Sequence, residues 1–211
     1  CALILGVIAG PDGKDSTASE SPVPDYVAGT SAIEKKRWKV AVLSDIPESA
    51  LQPEIKQSLD LTVARLKENG HEVTAVPFPL NEHILPTYYI LTTAEASSNL
   101  ARYDGVRFGH RTKGATDLEG MYKKTRTEGF GDEVRRRILL GNYVLSSDYY
   151  DAYYDKAQRV RRMIRDGLRK ILTENDVILM PTTPTTAFPL GSHPDDPVSM
   201  YLADLFSVQA N

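Results

Sequence analysis

KVAVLSDIPESALQPEIKQSLDLTVARLKENGHEVTAV, residues 39–76, reads as strand, helix, strand. Lys39 to Leu43 is a short apolar run without strict alternation, the pattern of a buried strand. Ile55, Leu59, Val63 and Leu66 then recur at helical spacing behind Pro53, whose fixed φ suits a first turn. Gly70 closes the helix, and His71 to Val76 returns to strand. Two strands joined by a helix with short links imply a right-handed parallel crossover, so the fold class is α/β.

Working outward, Val177 to Met180 is a third apolar strand emptying into Pro181-Thr182-Thr183-Pro184. Ligands of open α/β sheets gather at such carboxyl ends. Between strands two and three, after a loop from Pro77 to Pro86, helical periodicity runs through Thr87 to Ala101, Asp117 to Thr125, Gly131 to Ser146 and Tyr150 to Thr173. The expected architecture is a short parallel or mixed sheet with a large helical insertion. One partial domain spans 1–211: a helix end and linker (1–35), strand-helix-strand (36–80), a helical region (81–175), and a strand with a pocket loop (176–211). Within the first part, residues 2–9 read as a helix end stopping at Gly10-Pro11, and 16–31 as a polar connection.

Composition narrows the function classes. At 41% hydrophobic and 25% charged, the 211 residues suit a globular chain with a real core. No apolar run approaches the roughly 20 residues that cross a bilayer, so the expected setting is cytoplasmic, with no membrane partner. The single cysteine, Cys1, excludes an internal disulfide and a multi-thiolate metal site, and its apolar flank reads as a small buried side chain. His71, His83, His110 and His193 are too scattered for a metal cluster or a general base. No zinc pattern, phosphate loop or dinucleotide fingerprint is present, so no cofactor is expected in this chain. Charge is uneven: residues 102–170 hold 17 Lys and Arg against 10 Asp and Glu, and the remainder 8 against 18. That basic stretch is either a solvated helical face or a docking surface for RNA or an acidic partner.

Four segments carry a family resemblance. They are YYILTTAEASSNLARYDGVRFG (88–109), Glu133-Val134-Arg135-Arg136-Arg137-Ile138, Ser147-Asp148-Tyr149-Tyr150-Asp151-Ala152-Tyr153-Tyr154, and Met180-Pro181-Thr182-Thr183-Pro184-Thr185-Thr186-Ala187-Phe188. With these in order, the whole chain closely resembles the A subunits of the aspartyl/glutamyl-tRNA amidotransferases, within the amidase signature family. The resemblance implies a partial amidase-signature fold and a glutamine-hydrolysing role. Ammonia would pass to a B subunit, where ATP and magnesium activate the side-chain carboxylate of glutamate or aspartate mischarged on tRNA(Gln) or tRNA(Asn). A C subunit steadies the pair, and the holoenzyme is an ATP-dependent C–N ligase. The implied partners are therefore glutamine, the B and C subunits and mischarged tRNA.

The same resemblance assigns substrate-binding roles: Arg137 for the α-carboxylate of glutamine, Asp204 for its α-amino group, and Tyr88 for orientation. A planar guanidinium fork suits a carboxylate, and an aspartate suits an ammonium. Composition alone would place Arg137 and Asp204 on helix surfaces. Arg136 and Tyr89 stand one position away and Arg135 two, so a slip of the alignment would exchange their roles.

The family's catalytic serine, cis-serine and lysine have no counterpart here, and no Gly-Gly-Ser-Ser-type loop occurs, so no catalytic residue is expected in this chain. Ser97 and Ser98 follow Glu95 inside a helix, where hydroxyls commonly bond a preceding carbonyl; Asn99 reads as structural too. Tyr149, Tyr150, Tyr153 and Tyr154 read as packed pairs, while Thr182, Thr183, Thr185 and Thr186 suit a cavity wall or a shaped loop equally. The expectation is a fragment, inactive by itself, with an exposed sheet edge that favours self-association. The alternatives are a fragment of another small-amide amidase and an assembly or tRNA-docking module.

Overall fold

The computed structural model describes residues 1–31, 37–46, 50–191 and 201–210. Contacts divide the chain into two compact units, Cys1–Trp38 and Lys39–Asn211.

The first unit holds α1 (Ala2–Ile8) and α2 (Tyr26–Ser31). Between them the chain turns on side-chain carboxylates: Asp12 accepts from the Lys14 backbone at 2.9 Å, and Asp15 from Thr17 at 2.8 Å. These are Asx turns, in which aspartate substitutes for a backbone acceptor. The segment expected as a connection thus ends in a helical turn and a half. Cys1 is exposed and not the small buried side chain expected, because α1, which it caps, buries none of its residues.

In the second unit three parallel strands form a sheet in the order β2-β1-β3, with β1 at Lys39–Leu43, β2 at Glu72–Val76 and β3 at Val177–Leu179. Lys39 pairs with Glu72 and Val40 with Val177 in register. The central strand is the buried one, with Val40, Ala41 and Leu43 almost fully covered. Between β1 and β2 runs α3 (Pro53–Glu68), begun by Pro53 at its first turn. Its end is a left-handed cap: Gly70 takes φ 82°, its N–H reaches the Lys67 carbonyl, and the His71 N–H reaches Leu66.

The helical region comprises α4 (Asn81–Leu100), α5 (Leu118–Gly129), α6 (Asp132–Val144), a π-helical turn (Tyr150–Asp155) and α7 (Lys156–Glu174). Helix α5 runs four residues past the expected Thr125, α6 is shorter by one residue at its start and two at its end, and two further boundaries differ for identifiable reasons. Helix α4 begins at Asn81, five residues before the proline expected to end a loop. Pro86 stands in the second turn, where its missing N–H forfeits only one intrahelical bond. Second, the expected long helix from Tyr150 opens on a wider π turn, alongside which Tyr149 and Tyr153 stack with Tyr143 of α6, 4.2 and 5.9 Å away.

The core lies where α4 and α7 cover the sheet: Ala41, Leu43, Phe78, Ile84, Ile164, Ile171 and Val208 form one buried cluster. Helix α7 presents Ile164 and Ile171 at heptad spacing and leaves its arginines outside. Helices α4 and α6 approach closely because Gly141 faces Thr93 and Ser97, all three buried. The loop after β3 is tied to the start of α3: Gln52 donates its N–H to the Pro184 carbonyl at 2.9 Å and accepts from Thr186 at 2.9 Å. Among the described residues no helix is long and apolar enough to cross a membrane.

Candidate functional site

Helix α4 carries Tyr88 and Tyr89 on neighbouring faces, 100° apart as consecutive helical residues must be. Tyr88 packs against the buried core cluster and lines an open groove of about 540 Å³ between α4 and α7, floored by Ile84, Leu91, Ile164 and Leu168. Tyr89 points elsewhere. Its hydroxyl donates to Asp204 Oδ2 at 2.8 Å, and its ring lies 4.4 Å from that of Tyr201. The two neighbours stay in contact edge to face, 5.3 Å between centroids.

From Tyr201 the network continues into α6. Tyr201 Oη donates to Glu133 Oε1 at 2.7 Å, and Arg137 Nε donates to the same oxygen at 3.1 Å. The other oxygen, Oε2, receives Arg136 Nη1. Glu133 stands four residues before Arg137, the favourable i, i+4 order on a helix. Asp204 and Arg137 therefore end a continuous chain, carboxylate at one end and guanidinium at the other, joined through Tyr89, Tyr201 and Glu133. Tyr88 touches it through Tyr89.

The electrostatics follow from that arrangement. Partial burial pushes the Glu133 carboxyl up, but the Tyr201 hydroxyl and the Arg137 and Arg136 guanidiniums more than offset this and hold it below its ordinary range. Tyr89 is pushed well above the ordinary tyrosine range, first by burial and then by donating to the Asp204 carboxylate, with Arg137 opposing. The hydroxyl stays a donor at any physiological pH. The unfolded chain would ionise Tyr89 near pH 10 while the folded protein keeps it neutral. Its contribution is accordingly complete below about pH 10 and lost as pH rises through the folded value. Denaturant midpoints measured from pH 9 to 11 should fall with rising pH, and Tyr89→Phe should make that decline shallower; an identical slope in the variant would contradict the bond.

Other sequence candidates lie outside this chain of contacts. Ser97 is 4% exposed and donates to the Ala94 carbonyl at 2.9 Å, in the α4–α6 contact. Ser98 and Asn99 are exposed on the last turn of α4. Thr183 donates to the Thr185 carbonyl of its own loop at 2.8 Å. His110 meets Glu128 at 2.7 Å, which, with Thr112, staples the 101–117 connection onto α5; His193 lies outside the described residues. Among the described residues, no group of three or more His, Cys, Asp or Glu side chains converges in a way that would hold a metal ion.

Glu133 and Tyr201 were not singled out from sequence. The i, i+4 spacing of Glu133 and Arg137 was legible, but that pattern is common on solvated helices. The contact with Tyr201, 68 residues away, had no local signal.

The profile of the amidase family matches residues 1–211. The A subunit of the Geobacter metallireducens glutamyl-tRNA(Gln) amidotransferase is 48% identical over 211 residues, covering all of this chain and 43% of the relative. That of Acidobacterium capsulatum is 50% identical over 210 residues, covering all of this chain and 44% of the relative. The chain thus spans less than half the length of these relatives. Among solved structures, the A subunit of the Thermotoga maritima glutamyl-tRNA(Gln) amidotransferase superposes with a TM-score of 0.65 at 32% identity, over 99% of this chain and 40% of that one.

Proposed function

The chain belongs to the amidase family, and from that premise we propose that it is the glutamine-recognising part of the A subunit of a tRNA-dependent amidotransferase. The observation that carries this reading is the chain of contacts from Asp204 to Arg137. An α-amino acid presents an ammonium and a carboxylate a few ångströms apart. Asp204 and Arg137 carry the charges opposite to that pair and belong to one network of contacts, which Tyr88 meets through Tyr89. Identity of 48–50% across the full chain to A subunits supports glutamine as that amino acid.

In this reading Arg137 takes the α-carboxylate and Asp204 the α-amino group, while Tyr88, which lines the separate α4–α7 groove, orients the substrate indirectly, through its edge-to-face contact with Tyr89. Tyr89 fixes the Asp204 carboxylate by donating to one oxygen, which leaves the second available. The described residues provide recognition, and the nucleophile that attacks the side-chain amide belongs to the complete subunit. The ammonia released is used at a B subunit, where ATP and magnesium would activate the carboxylate of glutamate or aspartate on mischarged tRNA, with a C subunit steadying the assembly. The setting would be cytoplasmic, where aminoacyl-tRNA is used.

The test is ammonia release by the complete three-subunit complex, offered glutamine or simple aliphatic amides of similar size. Glutamine should be strongly preferred. Equal turnover of aliphatic amides would replace this reading with that of a general small-amide amidase.

A further inference from the structure

Resting on the glutamine reading above, we propose that Glu133 is a positioning residue that presents Arg137 to the substrate carboxylate and, through the Tyr201 hydroxyl, sets the spacing between α6 and the segment carrying Asp204. Glu133 Oε1 takes two donors at once, Arg137 Nε at 3.1 Å and Tyr201 Oη at 2.7 Å. A guanidinium has five N–H groups on a rigid planar fork. Committing the Nε–H to Glu133 stops rotation of the fork and leaves the four N–H groups of the terminal nitrogens, the end-on face that pairs bidentately with a carboxylate. Among the described residues those terminal nitrogens make no hydrogen bond, and the Arg137 side chain is 46% exposed, so a ligand can reach it.

An ordinary surface ion pair would involve only the two residues on one helix and would contribute little. Glu133 differs because its third partner, Tyr201, comes from a distant segment and stacks on Tyr89, the residue that holds Asp204. One carboxylate therefore couples both ends of the substrate clamp. Glu133 also meets Arg136 through its other oxygen, so both carboxylate oxygens are engaged.

The experiment uses the complete three-subunit complex and compares Glu133→Ala, Glu133→Gln, Arg137→Ala and the Glu133→Ala/Arg137→Ala pair. Amidation driven by free ammonia, which bypasses glutamine, reports the integrity of the assembly. Glu133→Ala should raise the glutamine KM about tenfold, a coupling typical of residues sharing one network, with kcat changed less than about twofold and ammonia-driven amidation retained. Glu133→Gln keeps an acceptor oxygen for Arg137 and Tyr201 and should recover most of the lost affinity. In the Arg137→Ala background, Glu133→Ala should add clearly less than it does alone, only the part that acts through Tyr201 on the Asp204 segment. An equal further rise in KM in that background, or a parallel loss of ammonia-driven amidation, would overturn the positioning role alone. A glutamine KM untouched by Arg137→Ala would overturn the glutamine reading and this inference with it.

Discussion

On the proposed glutamine reading, Arg137→Ala in the complete enzyme should raise the glutamine KM about 30-fold while leaving the fold intact. Truncating one partner of a charge pair that a bound ligand buries costs about 2 to 5 kcal/mol, against about 0 to 1 kcal/mol for an exposed pair. Arg137 keeps 46% of its side chain exposed, so the lower end applies, about 2 kcal/mol, and each 1.4 kcal/mol is about tenfold in affinity. The fold should survive because Arg137 contacts Glu133 at the surface of α6, whereas the buried face of that helix is Ile138, Gly141 and Val144. Arg137→Lys should recover little: it keeps the charge but replaces the fork by a point donor that cannot serve Glu133 and a substrate carboxylate in one plane. Steady-state glutaminase kinetics decide the matter. A KM within about twofold of the parent enzyme would remove Arg137 from the site and return it to the solvated surface that composition alone suggested.

Gly141→Ala should be the most destabilising single-methyl change in the helical region. A Cβ built there would lie 2.0 Å from the Thr93 carbonyl oxygen and 2.7 Å from Ser97 Cβ, both far inside van der Waals contact. In an isolated helix the same substitution would help by about 1 kcal/mol, since alanine is the better helix former. The clash must win here, because the obstructing atom belongs to the backbone of α4 and no rotamer change can move it. The helices have to separate, uncovering Thr93 and Val144, which are 1% and 2% exposed. Overpacking of this kind typically costs about 1 to 3 kcal/mol and occasionally more. We expect a net loss of about 2 kcal/mol in denaturant unfolding of the complete protein, with Ser97→Gly giving only slight rescue because it leaves the Thr93 carbonyl in place. A midpoint at or above that of the parent protein would show that α4 and α6 do not pack this closely.

The α/β class, the three strands and the helix between the first two were legible in the chain because their causes are local. An apolar run flanked by polar residues defines β1; apolar spacing behind Pro53 defines α3; and only glycine takes the left-handed turn at Gly70 without cost. The start of α4 was not legible for the same reason in reverse. Proline's local preference argued for a loop through Pro86, and burial of Asn81 and Ile84 against the core outweighed the one backbone bond that Pro86 forgoes.

The candidate site divides along the same line. Arg137, Asp204 and Tyr88 entered through a family resemblance in sequence, which can name residue types at positions but contains no distances. Tertiary structure decided that Tyr89 and not Tyr88 bonds Asp204, that Tyr201 stacks on Tyr89, and that Glu133 collects Tyr201 and Arg137 on one oxygen. Sequence alone determined the strand and helix pattern and the residues available for recognition, since those depend on side chains within a few positions of one another. Only the folded chain decided which of them meet, because a hydrogen bond between groups 68 or 115 residues apart is set by how α4, α6 and the 201–206 segment pack, and packing is a property of the whole core.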